Sequence, residues 1–583
     1  MKTKWRRFAI YLLKYRRMQT AAVALSLIAV LLSLANPFLI KVIIDKAFGN
    51  KDLGLFLLLS AAGLIIFAAN TSIQEFKDYL SIRINRLMIF DVTKDVFTAL
   101  ENRPLDFFKD SSVGANIYKI NQDVKFTADF ISEAIPRAVV LFSRLVLISA
   151  VVFILEWRLA FFALVLLPTY YLSSHIFGRL IKEKHLFLVR NSETLYKHMH
   201  EVFGHMHLVK ALGREPYEKK RIAEVFTGTF NADLSKMRLL GLINFSQSLL
   251  GKILVGGMAL FGGYMVIEGR TTLGNLSAVM IYIGQLAGIT RSIGLLWQKS
   301  IVSTVSAERL EEILDSEKDY FEGKKIINQT RHRQITVDEM SFSYKPDVRI
   351  FDGMSFYIEP AARIALTGYS GSGKTTFLML MLGLYKPTGG RILLNGDDIE
   401  TLDGRSYRER TGVALQESLL WDDTVRNNIR YGNVQAGDDE IAQAAKLAEI
   451  DDFIKGLPEG YESRIGEMAC RVSEGQKQRI ALARALVRNP GILILDEALS
   501  SVDSGTEEKI IDNIKGHFKD TTIIIVSHRL SAIKKMDRVY FIENKSTIRE
   551  GSHGELFEKN GKYRDMVRAQ IEGSSADLAS NVA

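Results

Sequence analysis

The amino-acid sequence predicts a multidomain membrane protein, in which an all-α transmembrane domain of six helices is followed by an α/β P-loop domain. Three observations lead to this prediction. Long apolar runs fill the chain up to about residue 314, and the remainder mixes charged and apolar residues as soluble α/β domains do. The stretch GYSGSGKTT, at residues 368–376, joins a strand-like run to a helix-like run.

Composition excludes some classes of protein. A chain of 583 residues is too long for one hydrophobic core. The net charge of +9 could indicate nucleic-acid binding, but seven basic residues and no acidic residue precede the first apolar run, which is typical of a cytoplasmic membrane flank. We therefore expect a membrane-lipid environment and no nucleic-acid partner. The single cysteine, Cys470, excludes an intrachain disulfide.

Six apolar stretches are long enough to cross a bilayer as helices. They lie at about residues 20–44, 53–70, 138–155, 159–176, 242–267 and 273–296, and Pro37 interrupts the first. Short loops alternate with long basic loops, so we expect the long loops and both termini to be cytoplasmic, in a multi-pass protein of the cell (inner) membrane. Residues 1–18 mix basic and aromatic side chains, which indicates a segment along the inner membrane surface. The six-span domain is predicted at 19–315.

Two sets of helix breakers interrupt the long inner segments. They lie near residues 104–116 and 213–217, where proline and glycine residues occur within charged sequence of helical spacing. Short crosswise helices are expected at both places.

Three cations lie within or near the apolar spans. Arg144, Lys252 and Arg291 are costly in lipid, so each is expected to face a bundle interior or a watery cavity, or to reach the inner interface and pair with acids there. In the first case they form a cationic lining for an anionic substrate or lipid head group.

The P-loop predicts binding of a nucleoside triphosphate. Its glycines let backbone N–H groups close around phosphate oxygens, Lys374 supplies a mobile charge for the β- and γ-phosphates, and the Thr375 hydroxyl can ligate Mg²⁺. The nucleotide-binding residues expected from this stretch are Gly368, Ser370, Gly371, Ser372, Gly373, Lys374, Thr375 and Thr376. Tyr344, at the end of an alternating strand, can offer its ring to adenine, or be an ordinary strand aromatic.

Further strands end on polar side chains. The apolar run at 492–495 is followed by Asp496 and Glu497, and the run at 521–526 by Ser527 and His528. Parallel strands deliver such residues to one sheet edge. There Asp496 can hold Mg²⁺, Glu497 can orient and deprotonate an attacking water, and His528 can contact the γ-phosphate.

The segment RVSEGQKQRIALARALV, at 471–487, resembles the signature region of ATP-binding cassette (ABC) proteins, in which LSGGQ is usual. Gln416 resembles the Q-loop, Tyr344 the A-loop aromatic, Asp503 lies in a D-loop-like Ser-Val-Asp, and His528 resembles the switch histidine. Gly466 and Glu467 are similar to the X-loop of exporters. The stretches PFLIKVIID (37–45), WRL (157–159) and TLGNL (272–276) also resemble exporter positions.

This resemblance implies a half-transporter of the B-subfamily, MsbA-like type. A linker is expected at 316–333, the nucleotide-binding domain at 334–572 and a polar tail at 573–583. Each ATP would lie between one chain's P-loop and the signature residues Ser473, Gly475 and Gln476 of a second chain, with Gln416 also at the metal. The expected activity is ATP-driven export or leaflet flipping of an amphipathic substrate, such as a lipid, a drug or a peptide, with the breaker segments as coupling helices.

Some residues depart from the family pattern. Glu474 stands where glycine is common, and would either repel the partner's ATP or point into solvent; Val472 and Ala469 also differ. The resemblance favours a homodimer and leaves a heterodimer with one asymmetric ATP site open. An ATP-gated channel or sensor on the same scaffold is the other alternative. A soluble cassette ATPase and an importer fit less well, because one chain holds both the spans and an exporter-like cassette.

Overall fold

A computed structural model describes residues 4–111, 113–315, 323, 325–326, 333–466 and 472–569, with side chains for most of them. The chain divides into two compact units. The first contains residues 1–103 and 107–317, and the second contains residues 104–106 and 318–583. The helical membrane domain and the α/β domain predicted from the sequence are both present, so the predicted fold class is confirmed.

The first unit is helical wherever it has described secondary structure. Its longest helices carry the predicted spans and continue well beyond them. The described helices are Lys4–Lys14, Arg16–Val42, Leu53–Glu101, Leu105–Asp110, Val113–Tyr118, Val124–Asp129, Ile135–Leu155, Trp157–Gly204, Met206–Ala211, Glu215–Ile267 and Leu273–Leu314. Three single turns of π-helix, Ile43–Phe48, Lys119–Asp123 and Phe130–Ala134, continue neighbouring helices.

Among the described residues, five helical stretches are long and apolar enough to cross a membrane. They contain the first, second, third, fifth and sixth predicted spans. The fourth predicted span lies in the helix Trp157–Gly204, where the side chains of residues 162–182 lie outside the description. The described residues thus show a multi-pass membrane protein.

Two predictions about helix breaks need correction. Pro37 does not interrupt the first span, because it is buried inside the continuous helix Arg16–Val42. The second short helix is Met206–Ala211 rather than a segment at 213–217. Pro216 lacks an N–H group, which suits the first turn of a helix, and it accordingly lies in the first turn of Glu215–Ile267. The first break does hold a short helix, Leu105–Asp110, as expected.

The first and last spans are joined at one end by a carboxylate. Asp45 accepts hydrogen bonds from Thr272 Oγ1 at 2.8 Å and from the backbone N–H of Gly274 at 3.0 Å, at the start of the helix Leu273–Leu314. A helix N-terminus carries unsatisfied N–H groups and partial positive charge, so a carboxylate is a suitable partner. Two stretches that resemble exporter sequence are therefore in direct contact.

The described part of the second unit is built on twelve strands. They are β1 Ile335–Lys345, β2 Val348–Ile358, β3 Arg363–Gly368, β4 Gly389–Leu394, β5 Asp397–Asp398, β6 Thr411–Ala414, β7 Asp423–Thr424, β8 Arg464–Ile465, β9 Ile492–Asp496, β10 Thr522–Val526, β11 Arg538–Ile542 and β12 Ile548–Gly551. Asn395 and Gly396 both have positive φ and form the tight turn between the antiparallel strands β4 and β5.

The main sheet has six strands in the order β12-β11-β3-β10-β9-β6. All neighbours in it are parallel except the edge strand β12, which is antiparallel to β11. Strands β9 and β10 are buried along their whole length, as expected for continuous apolar runs with helices on both faces. A second sheet has the order β2-β1-β4-β5, and β7 pairs with β8.

Helices complete the second unit and enclose its apolar cores. The described α-helices are Lys374–Met381, Gly404–Glu409, Val425–Arg430, Asp438–Leu447, Asp451–Lys455, Glu474–Leu486, Ser504–His517, Leu530–Lys534 and His553–Lys559, and residues 561–569 are also helical. The predicted linker at 316–333 and tail at 573–583 lie almost wholly outside the described residues.

Candidate functional site

Four adjacent parallel strands deliver the predicted nucleotide residues to one edge of the main sheet. Strand β3 runs into the P-loop, β10 is followed by His528, β9 ends in Asp496, and β6 ends two residues before Gln416. The strands are neighbours in the order β3-β10-β9-β6. The carboxyl edge of a parallel sheet is where such folds bind ligands.

The P-loop geometry depends on small residues. Gly373 has a φ of 98°, and a Cβ added there would lie 2.7 Å from the Phe351 ring, so an L side chain would be strained and crowded. Lys374 begins the helix Lys374–Met381, and its Nζ donates to the carbonyl oxygens of Gly368, at 3.0 Å, and Tyr369, at 3.1 Å. The ammonium group thus lies inside the loop that is expected to hold phosphates.

Glu497 is held between two side chains from neighbouring strands. Gln416 Nε2 donates to Glu497 Oε2 at 3.1 Å, and His528 Nε2 lies 3.0 Å from Glu497 Oε1. The backbone of Glu497 has a φ of 49°, an uncommon conformation for a residue with a side chain. Such conformations are concentrated at functional sites. Three residues chosen separately from the sequence therefore form one cluster.

Burial shifts the pKa values of this cluster. Burial, and after it the positive charge of Lys374, lowers the pKa of His528 from its ordinary value, although Glu497 opposes the shift. This shift favours the neutral form of the imidazole. Burial also lowers the pKa of Lys374, although the negative charges of Glu497 and Asp496 oppose this shift.

Asp496 is suited to a cation. The residue is only 2% exposed, and burial raises its pKa, while a hydrogen bond from the Thr375 hydroxyl opposes that rise. A buried carboxylate beside a hydroxyl group, with Glu497 adding a second negative charge, is an oxygen-rich environment of the kind that Mg²⁺ prefers. The residues present therefore fit the predicted metal.

Tyr344 lies near the P-loop helix. Its ring is 42% exposed and makes edge contacts with Phe342 and Tyr385, at centroid distances of 4.9 and 5.4 Å. Its hydroxyl lies 3.0 Å from Thr376 Oγ1. These contacts hold an aromatic face at the surface next to the phosphate loop.

The signature segment begins a helix, as a phosphate-binding segment should. Ser473 caps the helix Glu474–Leu486 and makes reciprocal hydrogen bonds with Gln476, of 2.7 and 3.3 Å. A Cβ added at Gly475 would lie 2.7 Å from the carbonyl oxygen of Ser501, so this glycine is needed for the close approach of the D-loop. Asp503 caps the helix Ser504–His517 by accepting from Thr506 N at 2.9 Å.

Sequence reasoning missed Gln478. This buried amide donates to Ser500 Oγ at 3.0 Å and accepts from Ser501 N at 2.9 Å, so it ties the signature helix to the D-loop. The only sequence signal was an amide two residues after Gln476 in a helical segment.

Glu474 points outward in the described chain. Its side chain is 53% exposed and accepts from Lys477 Nζ at 3.2 Å. The nearby residues Glu467, Ala469 and Cys470 lie outside the described residues.

In the membrane unit, a polar cleft of about 680 Å³ lies between helices of the first three spans. Arg144 lines it, donates to Gln285 at 3.4 Å, and has a buried Nε without a hydrogen-bond partner among the described residues. Lys252 is exposed and does not line this cleft, and the side chain of Arg291 lies outside the description. Of the two cations whose side chains are described, only Arg144 lines this cleft, and a shared cationic lining stays a prediction.

Comparisons with known proteins agree with this architecture. The family model of the ABC transporter transmembrane region matches residues 20–290, and the ABC transporter model matches residues 351–500. A solved structure described as a bacterial Atm1-family ABC exporter with ATP bound has a TM-score of 0.87 and 26% identity to this chain, covering 95% of this chain and 98% of that one.

Several relatives match nearly the whole chain. A Staphylococcus aureus protein with the provisional name multidrug export ATP-binding/permease protein is 30% identical over 97% of this chain and 99% of its own length. An ATP-dependent lipid A-core flippase of Syntrophus aciditrophicus is 28% identical, over 94% and 92%. A fatty acid ABC transporter ATP-binding/permease protein of Mycobacterium bovis is 29% identical, over 90% and 82%. The chain therefore belongs to the ABC transporter family, as an exporter that joins a transmembrane region and an ATP-hydrolysing domain in one polypeptide.

Proposed function

We propose that this chain acts as a homodimer in the cell membrane, with its termini and ATPase domains in the cytoplasm, and uses Mg²⁺-ATP to export or flip an amphipathic substrate with an anionic head group. The observation that carries the proposal is the cluster of Glu497, Gln416 and His528 at the sheet edge that also bears the P-loop. The relatives' names favour transport over the channel or sensor alternative.

In this proposal Glu497 is the general base. Its carboxylate orients and deprotonates the attacking water, and the contacts from Gln416 and His528 keep it in one position. Lys374 stabilises negative charge on the transferring phosphoryl group. In its neutral form His528 has a single N–H group, which would be donated either to Glu497 or, once ATP is bound, to the γ-phosphate.

Thr375, Asp496 and Gln416 would hold Mg²⁺. When bound, the ion supplies positive charge at the β- and γ-phosphates. Tyr344 would stack on the adenine, and the serine and glycine residues of the P-loop would enclose the phosphates.

Dimerisation would complete each ATP site. The Ser473 hydroxyl and the N–H groups near Gly475 and Gln476 lie at a helix N-terminus, which suits the γ-phosphate bound by a second copy. ATP bound between two chains stabilises their closed arrangement, and the short helices Leu105–Asp110 and Met206–Ala211 would pass this closure to the spans. The test is ATPase activity of the chain purified alone: turnover supports a homodimer, and absence of turnover until a second subunit is added rejects it.

The polar cleft of the membrane unit supports an amphipathic, anionic substrate. Arg144 is a cation among polar side chains between apolar helices, so it can attract the anionic head of an amphipathic molecule whose apolar part remains in an apolar environment. We expect ATPase in lipid nanodiscs to be stimulated by phosphatidylglycerol more than by phosphatidylcholine. Arg144→Met should remove this difference, and Arg86→Met, at an exposed helical position outside the cleft, should retain it. Retention of the difference in Arg144→Met would reject the role of Arg144.

A further inference from the structure

A second charged cleft lies in the ATPase unit, away from the nucleotide site. It has a volume of about 920 Å³ and is lined by residues that precede strands β6, β9 and β10, among them Arg410, Gly491 and Thr521. These are the amino ends of the strands, whereas the P-loop, Glu497 and His528 follow the carboxyl ends of strands in the same sheet. The two sites therefore lie at opposite edges of the sheet.

Arg333 is a buried cation in this cleft. It is 3% exposed, its Nε has no hydrogen-bond partner, and no ion pair to its guanidinium occurs among the described residues. Its backbone is fixed just before β1, because its carbonyl accepts from Thr522 Oγ1 at 3.0 Å and the next N–H donates to Asn395 Oδ1 at 2.8 Å. Burying an unpaired charge is costly, so this arginine is expected to have an anionic partner.

The surroundings add positive charge. Burial, together with the positive charge of Arg410, lowers the pKa of Arg333. The cleft is also lined by the cations Arg405, Arg488 and Lys519 and by the carboxylates of Glu409 and Asp520. Glu409 already accepts from Arg405 Nε at 2.9 Å, and Arg488 Nη2 donates to a backbone carbonyl.

We propose that this cleft binds a phosphate-bearing anion between Arg333 and Arg410. Guanidinium groups match phosphate oxygens through paired N–H donors. The volume exceeds what one phosphate needs and is sufficient for a polyphosphate or a phosphorylated organic molecule. The site is independent of the transported substrate and does not rest on the proposed function.

The experiment uses the full chain in detergent, with saturating ATP and EDTA, so that the P-loop is occupied and no hydrolysis occurs. Inorganic pyrophosphate is titrated, and thermal unfolding is recorded. Pyrophosphate should raise the melting temperature of the wild type and of Arg391→Gln, an exposed arginine on β4 that pairs with Asp338. Arg333→Met should lose this stabilisation, with a dissociation constant about 10- to 100-fold higher. Without pyrophosphate, Arg333→Met should melt no lower than wild type, because a buried unpaired charge has been removed.

Further variants and ligands distinguish phosphate binding between Arg333 and Arg410 from its alternatives. If Arg333→Met does not fold, Arg410→Gln, a partly exposed position, must show the same loss of pyrophosphate binding. Equal stabilisation of wild type, Arg333→Met and Arg410→Gln overturns the proposal, as does absence of any effect on wild type. Equal stabilisation of wild type by citrate overturns the phosphate class. Dihexanoyl phosphatidic acid, used in a parallel titration, identifies a lipid phosphate if it binds more tightly than pyrophosphate and a soluble phosphate if it binds more weakly.

Discussion

The ATPase unit and the membrane unit place their functional groups in different ways. In the ATPase unit, each polar residue follows a short buried strand, and adjacent parallel strands bring Lys374, His528, Glu497 and Gln416 to one edge. In the membrane unit, helices of 42 to 53 residues carry polar groups at many positions, and which of them share a cleft depends on how the helices pack. The functional residues of the ATPase unit can therefore be located from short stretches of sequence, whereas those of the membrane unit depend on the packing of long helices.

The largest expected effect is at Glu497. Replacing it with Gln should lower ATPase activity about 100- to 10,000-fold, because the base is removed, and should leave ATP binding intact. Steady-state hydrolysis and equilibrium ATP binding measure the two parts. Glu508→Gln, the same change at an exposed helical position, should be silent. Hydrolysis at the wild-type rate in Glu497→Gln would reject the assignment and weaken the contrast between the units.

Gly475 tests whether the signature must approach the D-loop. Gly475→Ala should destabilise the ATPase unit by about 1–3 kcal/mol, because the new methyl group would meet the carbonyl of Ser501. Gly516→Ala is the matched control, because a Cβ there meets nothing within 4 Å and alanine favours helix. Thermal unfolding of both variants provides the measurement, and equal melting temperatures would contradict the close approach.

Substitutions of Asp45 test how much its contacts with the last span stabilise the membrane unit. Asp45→Ala removes both acceptors of the Thr272 and Gly274 contacts and should cost about 0.5–2 kcal/mol, as the loss of other helix N-terminal acceptors does. Asp45→Asn keeps one oxygen acceptor and should cost less. Thermal stability in detergent compares the two, and an Asn variant as unstable as the Ala variant would show that the charge, and not the hydrogen bond, matters.

The smallest effect is expected at Glu474. Because this carboxylate is exposed and pairs with Lys477 on the helix surface, Glu474→Gly should change ATPase activity by no more than about twofold. ATP titrations at two salt concentrations measure it, with Lys477→Gln as the control for loss of the ion pair. A large gain in apparent ATP affinity at low salt would instead show that Glu474 repels a nucleotide.

Several predictions failed or remain open for physical reasons. Pro37 was expected to interrupt a span, but it is buried within a continuous helix. The second short helix lies N-terminal to its predicted position, because Gly213 and Pro216 mark its end and the next start. Arg144, Lys252 and Arg291 were grouped by charge alone, and charge does not say which face of a long helix a residue occupies.

The sequence by itself determined the fold class, the position of the P-loop and the residues at the strand ends, because these depend on local pattern and on the fact that parallel strands end at one edge. Only the tertiary structure decided that Gln416 and His528 both contact Glu497, and that Gln478 links the signature helix to the D-loop. It also decided that Asp45 accepts a hydrogen bond at the start of the last long helix of the membrane unit. In the ATPase unit, it placed the buried Arg333 beside Arg410. These contacts join residues that are distant in the chain. Which residues meet depends on packing in three dimensions, and sequence spacing alone does not predict it.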